Sequence, residues 1–198
     1  MSAYSKQDSR QVIGRFHDND TFWDSFCQTV PLSPRAYLGT YLKEACRLQT
    51  KGLLNLRDAR FEAYAKRNDV SNIDRQKITA ALLPLCKQWQ EAEYLINLFT
   101  KDDLRSSITA LLQTRTLPCY YVLFRQLRQH EGDATLHRNV CIALIKRGTT
   151  MDFNFAALLS SYFDVQPLPA TFALRLQPYE LSRFDDSYEN FKAIIGRS

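Results

Sequence analysis

One apolar register returns along this chain and sets what it can fold into. Ile78-Thr79-Ala80-Ala81-Leu82 comes back as Ile108-Thr109-Ala110-Leu111-Leu112, and the same register returns at Val140, Ala143 and Leu144. After each copy comes a second apolar stripe: Ala92, Leu95, Ile96 and Phe99, then Tyr120, Leu123, Phe124 and Leu127, then Phe155, Leu158, Leu159 and Tyr162. Each of these second stripes runs i, i+3, i+4, i+7, the spacing that lines one face of an α-helix. A pair of helices repeated about every 30 residues describes stacked helical hairpins, each of which buries its face against its neighbours.

Turn chemistry punctuates the pattern. Asp20 is placed to cap a helix carrying Phe22 and Phe26, and Ser33-Pro34 opens the next, with serine accepting from the first amides and proline at the first helical position. That helix carries Leu38, Tyr41, Leu42 and Ala45, ends near Gly52, and is followed by a helix over residues 56–66. Ser71 with Asp74, Thr100 with Asp103, and Asp133 are further start signals, and Pro84 and Pro118 interrupt or open helices. Gly132 and Gly148 mark helix ends, where a left-handed residue favours glycine. A short helix is expected over residues 10–16, a turn at Gln166-Pro167-Leu168-Pro169, and a last amphipathic helix after Ser187 with Phe191, Ile194 and Ile195. No segment alternates with period two, so sheet should be negligible.

The expected fold is therefore all-α: a short right-handed α-solenoid of stacked antiparallel hairpins. A non-repeating helical bundle is the alternative, since any bundle buries the same stripes. As one domain over 1–198, it divides into N-terminal helices (1–33), hairpin repeats (34–163) and a C-terminal cap (164–198). With 198 residues, 45% of them hydrophobic, the chain can bury a core without metal or disulfide staples.

Paired helices of this length with Ala and Leu at close-packed positions resemble the HEAT-like class of α-helical repeats over about residues 34–163. The usual first-helix proline and the paired Asp and Arg of strong HEAT units are missing or misplaced. The resemblance implies an extended concave surface for a protein or peptide. One branch of that class, the alkylpurine DNA glycosylases, implies a nucleic-acid partner instead, without a motif that transfers residue by residue.

The net charge of +5 is mild, and its excess lies mainly in residues 101–150, which carry 8 basic against 4 acidic groups. Arg125 and Arg128 share a helix face and could converge with Arg138, Lys146 and Arg147 on phosphates or acidic side chains. Against this, Arg128, Lys146 and Arg147 sit in last helical turns, where the dipole favours cations without a ligand. Among the aromatics, Tyr121 and Phe163 fall off the stripe and are the candidates for a contact surface.

His17-Asp18-Asn19-Asp20 with Asp24 and Cys27 reads as capping and turn chemistry ahead of a metal or general-base site. His130 and His137 flank a turn and read as two exposed loop histidines. The five cysteines lack CxxC or CxxH spacing and read as small buried hydrophobes. Phosphate loops, dinucleotide glycines, a nucleophile elbow and HExxH are absent. No metal, cofactor or catalytic residue is expected. The polar N-terminus and the lack of a long apolar segment point to a cytoplasmic protein with no membrane partner. The leading expectation is an adaptor that binds a protein or peptide; the alternative is a nucleic-acid-binding protein using the basic central repeats.

Overall fold

A computed structural model describes residues 16–100, 103–165 and 184–196, and these form ten α-helices and no strand. The helix expected over 10–16 and the turn at Pro167 and Pro169 lie outside the described residues. The chain divides into two compact units, residues 1–114 and 115–198.

The first unit holds six helices: α1 (Asn19–Thr29), α2 (Pro34–Thr50), α3 (Ala59–Ala65), α4 (Asn72–Leu82), α5 (Trp89–Thr100) and α6 (Leu104–Gln113). Single 3-10 turns at Val30–Leu32 and Leu83–Leu85, each containing a proline, follow α1 and α4. Helix α1 packs on α2 and α3; further on, α2 packs on α4, α3 on α5 and α4 on α6.

Aromatic rings fill the start of this unit. Phe22, Trp23, Phe26, Tyr41 and Phe61 are all buried. Trp23 stacks on Phe61 at 4.4 Å, while Phe22 and Phe26 meet Tyr41 edge-on. The Trp23 indole donates to the Asn55 carbonyl at 3.0 Å, which satisfies the one polar atom this ring carries into the core. Three start signals differ from expectation. Thr100 ends α5, its hydroxyl donating to Ile96 O at 2.7 Å, and Asp103 caps α6. Asp18, not Asp20, caps α1 by accepting from Thr21 N at 2.8 Å, because the Asp20 carboxylate is drawn to Arg60. Ser33 occupies the cap position of α2 without a side-chain hydrogen bond.

Helix α2 ends at a left-handed glycine. Gly52 has φ +72°, its amide donates to Gln49 O, and Leu53 N reaches back to Leu48 O. This paired return satisfies two carbonyls at the helix end.

The second unit holds α7 (Leu117–Arg128), α8 (Ala134–Arg147), α9 (Thr150–Tyr162) and α10 (Tyr188–Ile195). Helix α8 packs along α9, and α10 packs on α7 and α9. Asp133, Thr149 and Ser187 cap α8, α9 and α10; Thr149 and Asp152 bond reciprocally in a capping box. Gly148, at φ +73°, is the left-handed glycine here, whereas Gly132 is not left-handed.

In the second stripes Ala92, Leu95, Ile96 and Phe99 are buried, as are Tyr120, Leu123, Phe124 and Leu127, then Phe155, Leu158 and Leu159, while Tyr162 is half-buried. In the first stripes Ile78, Leu82, Ile108, Leu111, Val140 and Leu144 are buried, whereas Leu112 and Ala143 are only half-buried. Helix α8 also buries His137, Cys141 and Ile145. His137 is therefore a core residue and not an exposed loop histidine: it stacks on Phe163 at 3.9 Å, with Nε2 3.2 Å from the Leu127 carbonyl.

Candidate functional site

The basic residues picked out in the sequence meet different fates in the second unit. Arg147 turns inward. Its Nη2 bonds the Asp152 carboxylate and lies 2.8 Å from the Tyr120 hydroxyl, which itself donates to Asp152 at 2.5 Å. Asp152 is fully buried. Burial alone would raise its pKa, but the Arg147 guanidinium and the Tyr120 and Thr149 hydroxyls override that and hold it below the ordinary range. Tyr120 is pushed the other way, first by burial and then by its bond to Asp152.

Arg128 pairs with Asp186 at 2.7 Å, and the Tyr121 hydroxyl donates to the Asp186 carbonyl at 2.8 Å. Asp186 holds φ 59°, a left-handed conformation that a non-glycine residue adopts only when its surroundings enforce it. Tyr121 is buried against Tyr188 and Phe191, so its ring belongs to the core. Arg125 is half-buried, while Arg138 and Lys146 are exposed. Of the six, the structure thus spends Arg128, Arg147 and Tyr121 on internal contacts that hold the unit together.

The acid-rich start of α1 is also structural. Arg60 meets Asp20, Asp24 and Asp58 at 2.7–2.8 Å. The Arg60 hydrogen bond, reinforced by Asn19, holds the Asp58 carboxyl down at about 2. Among the described residues no three His, Cys, Asp or Glu side chains are grouped to hold a metal. Burial pushes the Cys119 thiol up to about 11 and Cys141 to about 12, so neither is a thiolate at neutral pH.

The feature that reading one segment at a time missed lies within the first unit, where α4 and α6 wall a cavity of about 750 Å³. Its size falls in the range that holds a drug-sized ligand or a few peptide residues. The two walls are the sequence repeat itself. The repeat extends one turn before Ile78 and Ile108, to Arg75 and Arg105, and the equivalent pairs Arg75/Arg105, Thr79/Thr109 and Ala80/Ala110 all line the cavity.

Chemistry in this cavity is polar and unequal. The hydroxyls of Thr79, Thr109 and Thr114 donate to helix carbonyls four residues back, at 2.9, 2.7 and 2.9 Å, and so offer a ligand only their acceptor lone pairs. Asp103, the acidic residue in the wall, caps α6 through Arg105 N and Ser106 Oγ. Arg105 is exposed and forms no ion pair among the described residues.

Arg75 stands apart from every other cation described. It is 3% exposed, yet among the described residues no carboxylate pairs with it. Its Nε and Nη2 donate to the Val70 and Arg67 carbonyls at 3.3 and 3.0 Å, and Nη1 has no hydrogen-bond partner. Burial pulls its pKa below the ordinary guanidinium value, with only the nearby Tyr64 opposing. A buried cation without a counter-ion costs free energy that the fold must offset elsewhere. The sequence did carry a signal: Arg75 occupies the first position of the stripe continued by Ile78, Thr79 and Leu82, where an apolar residue belongs.

No family model matches the chain, and neither a curated protein nor a solved structure matches it. Among the described residues no helix is long and apolar enough to cross a membrane.

Proposed function

We propose that this chain is a non-enzymatic binding module that takes a short peptide segment of a partner protein into the cavity between α4 and α6. The observation that carries this reading is the cavity itself, walled on both sides by the one segment the sequence repeats. Stacked hairpins present such surfaces because each repeat contributes the same helix to the same side. We read the architecture accordingly as a short α-solenoid of the HEAT-like kind, supported within residues 1–114 by the packing of α2 on α4, α3 on α5 and α4 on α6. The lining suits peptide: amide side chains at Asn72, Gln76 and Gln113 both donate and accept, and threonine oxygens accept backbone N–H groups.

Selection of a displayed random peptide library on the immobilised full-length chain tests the reading. Peptides should be recovered that no longer bind a Thr109→Trp variant, whose new side chain fills the cavity from an exposed wall position. Recovery of no peptides, or of peptides indifferent to Thr109→Trp, contradicts the proposal.

A further inference from the structure

From the placement of Arg75 and Arg105, we infer that the cavity between α4 and α6 recognises a carboxylate, so that the bound peptide carries an aspartate, a glutamate or its own C-terminus there. This rests on the proposed peptide-binding role and specifies its chemistry.

Charge supports it first. Among the described residues the wall contains two arginines and one aspartate, and that aspartate is already committed to capping α6. The two cations draw an anion to the cavity, and the charge of Arg75, which is buried, is screened less than one in open water. A phosphate dianion meets stronger repulsion from Asp103 on the same wall than a monoanion does, which makes carboxylate the better match.

Hydrogen bonding supports it second. The Arg75 guanidinium is fixed by two carbonyls, so its orientation is set before any ligand arrives, and a single nitrogen is left over. That nitrogen is shielded from solvent, so a ligand reaches it only once neighbouring side chains shift. Gln76 and Asn72 are exposed on the same helix and line the same cavity. Arg105, on the opposite wall and exposed, supplies a second cation without rearrangement. A carboxylate held by charge-assisted bonds from both gains affinity that a neutral amide of the same shape lacks.

The library selection that tests the binding role also tests this inference, and the two fail differently. Sequences selected on the full-length chain should be enriched in Asp or Glu at one position or share a free C-terminus. Replacing that acidic residue in the peptide by its amide, or amidating the C-terminus, should weaken binding to the unaltered protein about ten- to hundred-fold. Arg105→Gln should weaken the acidic peptide and leave its amide counterpart almost unchanged. Arg75→Gln should do the same where circular dichroism shows the variant folded, and the peptide-side exchange decides the matter should it not fold. Peptides that bind, are lost on Thr109→Trp and tolerate the acid-to-amide exchange overturn the carboxylate and leave the peptide site standing. A preference for phosphorylated over carboxylate peptides also overturns it. Recovery of no peptides removes both.

Discussion

The two units treat buried arginine in opposite ways. In residues 115–198, Arg147 enters the interior together with its counter-ion: Asp152 is fully buried, and Tyr120 and Thr149 satisfy the remaining lone pairs. In residues 1–114, Arg75 is buried with two carbonyls and no carboxylate. The first arrangement is complete in charge, although Arg147 Nε has no hydrogen-bond partner among the described residues, and a charge that carries its counter-ion inward is sufficient for a structural role. The second lacks the counter-ion and borders a cavity, and it is there that a ligand can supply the missing charge.

Breaking the complete arrangement should have the largest effect. Arg147→Met strands a buried carboxylate and should lower the stability of the 115–198 unit by about 3–5 kcal/mol in urea unfolding. The double variant Arg147→Met, Asp152→Leu should recover much of that loss, since an apolar pair leaves no charge behind. Arg75→Met should cost less by the same assay, because it strands two carbonyls but no charge.

Acid sharpens the contrast from the other side. The Asp58 carboxyl sits at about 2 in the fold, below its ordinary 3.8, so the unfolded chain takes up that proton more readily. Its contribution is complete above pH 3.8 and disappears as pH falls through about 2. Unfolding midpoints measured down this range should fall for the natural chain and fall less steeply for Asp58→Asn. Smaller still, Ser187→Ala removes the hydroxyl that accepts from Asn190 N at 3.1 Å, and should destabilise α10 by about 1 kcal/mol in hydrogen exchange. The smallest effect is expected at the exposed cations of α8: Arg138→Ala with Lys146→Ala should change peptide affinity less than about twofold, within the range of neutral surface substitutions.

Much of the fold was legible because helix signals are local. Ser71, Asp133 and Ser187 cap the helices their positions indicate, and the second stripe of each pair is buried as read except at Tyr162, which is half-buried. Two overlapping faces of α8 satisfy the same spacing: Val140 and Leu144 are buried on either, but His137 and Cys141 join them and Ala143 does not. Stacking on Phe163 plus the Leu127 carbonyl lets an imidazole take the buried place. Asp20 lost the cap of α1 to Asp18 through Arg60, 40 residues away, which no local rule sees.

The site was less legible for the same reason. Arg128, Arg147 and Tyr121 looked available because their partners, Asp186 and Tyr120 among them, are fixed only by tertiary packing. Arg75 looked like one more charge on a helix until its place on the buried stripe was considered. Its equivalence to Arg105 was visible once the repeat was extended by a turn, but their shared cavity depends on α4 and α6 coming together.

Amide hydrogen exchange of the full-length chain with a library-selected peptide tests the central claim most directly. Protection should rise in residues 72–82 and 104–113, on both walls of the cavity, and the Thr109→Trp variant should show none of it. Protection confined to residues 117–147, where the exposed basic side chains of α8 lie, would contradict the claim.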